Sequence, residues 1–264
     1  MGLSSTTVLF RQDRQSALNC FKKNVAMNPQ SPTMTTIFSE LQKPDPAQES
    51  SIEEQIESLV DAMMMSLPEP EQLSSEQRRG LLARYAAVLE GNFIYWMTGA
   101  YLAAASEPAR AVILENLHEE VRDSHPAMLR KFTLAARAMP TESDVMAVHP
   151  DLTNVRLFVG RLSGVRLILM MTFFEGFIQK FMYFLGRLAT LQGSVEQEYA
   201  DVHGVCDVAH TRELFRALRA EMALTPPDPA AKLFEGVELL RVLIGTVVFG
   251  AESDNRFAHA AGQR

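Results

Sequence analysis

From Ile52 onward the apolar residues of this chain recur at helical spacing, and no alternating run rich in Val, Ile and Thr stands between turn pairs. A chain patterned this way has helices to pack and no strands to pair, so the fold class is all-α. Residues 52–65 form one helix, stopped by Pro68-Glu-Pro70. Ser74-Ser75-Glu-Gln opens the next with cap-like residues, and Leu81, Leu82, Tyr85, Val88 and Leu89 carry it to about residue 105. Glu107-Pro108 starts a third, because a proline in a first turn loses no hydrogen bond. Val112, Ile113, Leu117 and Val121 extend it towards Pro126. Further helices are predicted over residues 127–139, 155–191, 195–223 and 230–249, with a loop running through Pro140 and Pro150 and a break at Pro226-Pro227-Asp-Pro229.

At 264 residues and 47% hydrophobic content, the chain suits one helical domain over residues 52–252. The Ser-, Thr-, Gln-, Asn- and Pro-containing residues 1–51 lack sustained periodicity and read as a disordered or loosely docked arm, and residues 253–264 as a polar tail. A net charge of −7, from 25 basic and 32 acidic residues that are interleaved, gives no electrostatic footprint for nucleic acid. Cys20 and Cys206 are too few and too separated to read as a disulfide framework, no signal peptide is evident, and a reducing cytoplasm is the expected location. The greasy stretch around residues 167–174 is interrupted by Arg161, Arg166, Glu175 and Lys180 before it reaches the ~20 apolar residues of a membrane span, so it is expected to be a buried core helix.

The most chemical segment is His203-Gly-Val-Cys-Asp207-Val-Ala-His210. Its two imidazoles and one carboxylate fall at i, i+4 and i+7, within an arc of about 60° on one side of a helix. That is a metal-ligand spacing, in donors that iron and other N/O-ligand transition metals accept. Cys206 points off that face and reads as helix packing. Glu175 stands in Met170-Met-Thr-Phe-Phe-Glu-Gly-Phe-Ile, apolar on nearly all sides, and a buried carboxylate there requires a cation. Either a metal or an arginine such as Arg161 or Arg166 would serve. Glu90 repeats the pattern of a carboxylate followed by glycine in an apolar helix, although an exposed face is the ordinary place for such a residue. His125, ahead of Pro126, stands at a kink or helix end, as a ligand or as a solvated loop histidine. His149 and His259 fall in a proline loop and the tail and carry no assigned role. Met63-Met-Met65, Phe173, Phe174 and Phe177 read as core, with Tyr95, Trp96, Phe173 and Phe174 as candidate pocket walls.

Taken in order, Glu90, His125, Glu175 and His203-x3-Asp207-x2-His210 on an all-helical chain resemble the heme-oxygenase-like diiron oxidases, over roughly residues 81–218. The resemblance implies a heme-oxygenase-like bundle of about seven core helices, two Fe(II) per chain, and O2 as co-substrate activated through a peroxo-diiron(III) intermediate. It implies a small amine, amino-acid-derived or carboxylate substrate, N-oxygenation or oxidative C–C or C–N cleavage, and a setting in natural-product biosynthesis. Some members add a carboxylate ten residues before the histidine, where this chain has Glu115; a fatty-acid-decarboxylating member has it three residues before, where this chain has Arg122. Ten residues of ideal helix span about 15 Å, so Glu115 could join only if the helix unwinds, and Glu119 and Glu120 are nearer alternatives. No membrane or nucleic-acid partner is expected, and the reading leaves room for a homodimer.

Three alternatives use the same chain differently. A ferritin-like carboxylate-bridged diiron scheme would take Glu115-Asn-Leu-His118 with Asp207-Val-Ala-His210, Glu90 and Glu175. It leaves His203, which shares the Asp207/His210 face, as coincidence. A metal-free PqqC-like or thiaminase-like enzyme would not need the six aligned ligands. A non-enzymatic helical adaptor would need a substantial exposed apolar patch.

Overall fold

A computed structural model describes residues 46–228 and 231–250, with side chains from Ile52. Most of the expected arm, with Cys20, and the polar tail with His259 lie outside the described residues. Ile56, within the first helix, begins the compact unit that holds every later element. The described residues are helical, with no strand among them.

Helix α1 (Pro46–Met65) runs into the Pro68–Pro70 break and a single 3-10 turn, Pro70–Gln72. Helix α2 (Ser75–Leu89) starts at a capping box: Gln77 N–H donates to Ser74 Oγ at 3.2 Å while Ser74 N–H donates to Gln77 Oε1 at 2.8 Å. The sequence predicts one helix from here to about residue 105, but the chain breaks at Gly91, whose φ of 78° is left-handed. Asn92 secures the break, donating from Nδ2 to the Val88 carbonyl at 2.7 Å and accepting from Arg156 Nε at 2.8 Å. Helix α3 (Asn92–Ala103) follows.

Helix α4 (Glu107–Arg122) has Ser106 as N-cap and Pro108 in its first turn. The chain then turns through Ser124, at φ 58°, into helix α5 (His125–Ala135), with Pro126 in its first turn. Residues 142–154, where the sequence predicts a proline loop, belong to helix α6 (Glu142–Val159), with Pro150 inside it and His149 exposed on it. One internal proline removes one hydrogen bond and crowds the turn before it. Against that stand a capping box between Thr141 and Asp144, and the buried Val148, Leu152, Val155, Phe158 and Val159. The continuous helix expected over residues 155–191 is divided at residues 160–163, where Leu162 takes φ 51°.

Helix α7 (Gly164–Leu191) is buried on nearly every side and packs along helix α8 (Glu198–Leu224), the most extensive helix pair of the bundle. Its length and composition would suit a membrane span, yet 83% of its most apolar stretch is covered by the rest of the protein, as for a core helix. Helix α9 (Glu235–Phe249) closes the core against α6 and α7, and Arg84 accompanies its end by donating to the Val247 carbonyl at 2.9 Å. Helices α4 and α8 are antiparallel, tied at one end where Glu221 accepts the N–H groups of Ala105 and Ser106, each at 2.8 Å. The other end of that pair carries the chemistry.

Candidate metal centre

Four helix segments converge there. The spacing of His203, Asp207 and His210 puts all three on the buried side of α8, facing α4, α5 and α7. Helix α7 supplies Glu175, buried in its apolar middle, and the α4–α5 turn and the end of α4 supply Glu119, Glu120 and His125. Glu120, Glu175, His125, His203, Asp207 and His210 are each under 7% exposed. They form two neighbouring trios, Glu120/His125/His203 and Glu175/Asp207/His210, within each of which the donor atoms lie inside 4.8 Å of one another.

Ring orientation follows from hydrogen bonds. A carbonyl can only accept, so the 2.8 Å contact between His203 Nδ1 and the Tyr199 carbonyl places the proton on Nδ1 and turns Nε2 towards Glu120 Oε1, 3.8 Å away. His125 Nδ1 meets the same Glu120 oxygen at 2.7 Å. His210 Nε2 lies 2.9 Å from Glu119 Oε2, while its Nδ1 faces Asp207 Oδ1 at 3.5 Å and Glu175 Oε2 at 3.9 Å. Consecutive glutamates thus take different tasks. Glu120 belongs to a trio, and Glu119 holds the far side of a ring whose other nitrogen faces the second trio.

The electrostatics are those of compressed charge. Burial alone would raise the Glu120 carboxyl, but hydrogen bonds from His125 and His203 outweigh it and bring the group to about 2. Burial likewise opposes charge on His203, yet Glu120 and Asp207, with the Tyr199 carbonyl, lift it to about 9. His210 is raised against its burial by Asp207, Glu119 and Glu175. Glu175 goes the other way: burial, then the charge of Asp207, push it well above the usual carboxylate range, only partly offset by His210. Arg161 and Arg166, the arginines offered by the sequence as partners for Glu175, both pair with Glu235 instead.

These residues fit a cationic cofactor. Asp207 Oδ2 is buried with no hydrogen-bond partner, an arrangement that a cation relieves. Glu119, Glu120, Glu175 and Asp207, as carboxylates beside neutral imidazoles, would balance the charge of two divalent ions, and the mixed N/O donor set is one that divalent transition metals accept. Against the trios lies a cavity of about 30 Å³, walled by Phe93, Ile94, Leu129, Phe174 and Ile178, with room for one or two water-sized groups.

The remaining candidates stand elsewhere. Glu90, at the C-cap of α2, is one-third exposed and paired with Arg130, although its neighbours Leu89 and Gly91 line the cavity. Glu115 and His118 lie on the exposed face of α4. Of the aromatic candidates, Phe174 walls the cavity, Phe173 is fully buried and Tyr95 is 43% exposed. Tyr199, not singled out from the sequence, packs tilted against His203 with ring centroids 4.3 Å apart and shares a 2.9 Å hydrogen bond with the buried Tyr85 hydroxyl. Its position four residues before His203 on one helix face was the available signal. Comparison of the chain with protein-family models, curated proteins and solved structures returns no match.

Proposed function

We propose that this chain is a non-heme diiron oxygenase or oxidase of the heme-oxygenase-like type, acting on a small amine, amino-acid-derived or carboxylate substrate. The observation that carries this reading is the pair of buried carboxylate–histidine trios, one turn of α8 apart, with an unpartnered carboxylate oxygen at Asp207. Glu120, His125 and His203 would hold one iron, and Glu175, Asp207 and His210 the other. Two Fe(II) ions held there would supply the electrons and the open coordination positions for reducing dioxygen.

What the protein contributes can be derived from its own residues. The Tyr199 carbonyl fixes the His203 tautomer, and Glu119 fixes the His210 ring, so that each presents one nitrogen to the interior. Phe93, Phe174 and Ile178 keep water from the donors and strengthen every electrostatic interaction there. The ferritin-like scheme draws no support from Glu115 and His118, which face outward. In this reading Glu120 joins five of the six pattern residues, Glu90 being held away by Arg130, and Glu119, in place of Glu115, is the further carboxylate beside His210.

The test is anaerobic titration with Fe(II) and measurement of bound metal per chain, followed by admission of oxygen under optical observation. About two irons and a transient visible band are expected. No uptake would instead favour the metal-free enzyme or the adaptor. His203→Ala should lower the stoichiometry and His118→Ala should not; full iron binding by His203→Ala would overturn the assignment.

A further inference from the structure

Next to the metal cavity lies a second one of about 20 Å³, and the two share Leu89, Phe174 and Ile178 as a common wall. Its other boundaries include Val88, Phe177, Leu240, Ile244 and Val247, all buried. Of its lining side chains only Tyr85 and Trp96 carry a polar atom. The Tyr85 hydroxyl is engaged by Tyr199, and the Trp96 indole N–H has no partner. A buried water needs two to four polar partners, and neither of these atoms presents surface to the space, whose exposed wall is apolar throughout, so it is dry. An organic substrate needs roughly 300 Å³ or more, which it does not offer either. A small apolar diatomic meets both conditions.

We propose that this cavity is a dioxygen site, an apolar antechamber separated from the carboxylates and imidazoles by the Phe174 ring. The assignment of dioxygen rests on the oxygen-using reading of the neighbouring trios, whereas the gas-binding property itself does not. Phe174 stands edge-on to Trp96 at 5.4 Å and tilted against Phe93 at 5.7 Å. It therefore contacts one residue from each cavity and is the partition that a gas molecule would pass.

Two measurements on the iron-free full chain test this. Under xenon pressure, the methyl resonances of Val88, Leu240 and Ile244 should shift saturably, while exposed methyls such as those of Val195 shift only linearly. No saturable shift at the cavity methyls would overturn the proposal. Trp96, the chain's single tryptophan, reports on dioxygen directly. Its fluorescence should be quenched by oxygen and spared by acrylamide, and Ile244→Phe, which fills the space, should reduce the oxygen quenching slope by about twofold. An unchanged slope in a folded Ile244→Phe variant counts against it, and the xenon result on the native chain decides should that variant not fold. A chain that binds xenon here but takes up no iron keeps the gas site and loses the oxidase, so the two failures are distinguishable.

Discussion

Glu120 and Asp207 are both buried carboxylates in the same cluster, yet they stand in opposite energetic positions. Glu120 is held ionised by His125 and His203, whereas Asp207 leaves Oδ2 without a partner and raises the neighbouring Glu175. Glu120→Gln should therefore destabilise the iron-free protein by about 1–3 kcal/mol, the cost of breaking buried hydrogen bonds to charged groups. Asp207→Asn should leave it within about 1 kcal/mol of the parent, because removing a crowded charge offsets the lost contact with His210. Both substitutions should reduce bound iron. Urea unfolding of the iron-free variants, alongside metal analysis, separates a residue that stabilises the fold from one that is maintained for the ion. The difference in legibility between such residues is also local. His203, Asp207 and His210 could be read from the chain because their relation depends only on helical period, and Glu175 because a charge inside an apolar helix has few dry alternatives. The choice among Glu115, Glu119 and Glu120 could not, since it depends on how α4 is rotated against α8. Glu90 repeats the Glu175 pattern of carboxylate and glycine, but Gly91 ends its helix and Arg130 takes its charge, in keeping with the exposed face on which such a residue ordinarily lies.

Breaks between helices, more than the helices themselves, determine which side chains meet. Ser124 holds φ 58° at the α4–α5 junction, and this one left-handed residue lets Glu120 and His125 face each other across it. A non-glycine residue there carries a conformational cost, so Ser124→Gly should stabilise the protein by up to about 1 kcal/mol without loss of iron, and Ser124→Val should destabilise it. Thermal unfolding of both variants checks the pair. At the start of α6, Asp144 completes the capping box and takes both Arg79 nitrogens at 3.1 Å. Burial would raise its carboxyl, but Arg79 and Thr141 outweigh that and lower it below the usual value. A depressed folded-state value means stability that is present above the unfolded value of 3.8 and lost as pH falls below it. Asp144→Asn should cost about 1–2 kcal/mol at neutral pH, and the difference between variant and parent should shrink in acid, as pH-dependent denaturation curves would show. The Thr141-x-x-Asp144 signature is present in the sequence, but the loop reading rests on Pro140 and Pro150 and leaves it unused; the helix forms because the apolar residues on either side of Pro150 pack as one buried face.

Across the whole molecule the centre depends on the register of α4 against α8. Glu221 accepts from Ser106 at one end of the pair, and Glu119 meets His210 at the other. A slip of one turn would carry the glutamates about 5.4 Å past the imidazoles. The all-helical class was legible because periodicity is a local property, but the register was not, because Glu221 carries no motif and its partners are backbone N–H groups more than a hundred residues away. Gly164 is part of the same lock: a methyl group there would lie 2.6 Å from Glu221 Oε1 and 2.7 Å from the Ala103 carbonyl. Glu221→Ala leaves two N–H groups at the α4 start without an acceptor and should cost about 2–4 kcal/mol, with Glu221→Gln, which keeps one acceptor oxygen, losing about half of that. Gly164→Ala should also destabilise, and should cost less in the Glu221→Ala background, where one of its two close contacts has gone; a double-mutant cycle in urea measures this coupling. If the clamp sets the register, Glu221→Ala should in addition weaken iron binding, although Glu221 lies about 21 Å along α8 from Asp207. Unaltered iron affinity in a destabilised but folded Glu221→Ala protein would show that the packing of α7 and α8 alone positions the donors.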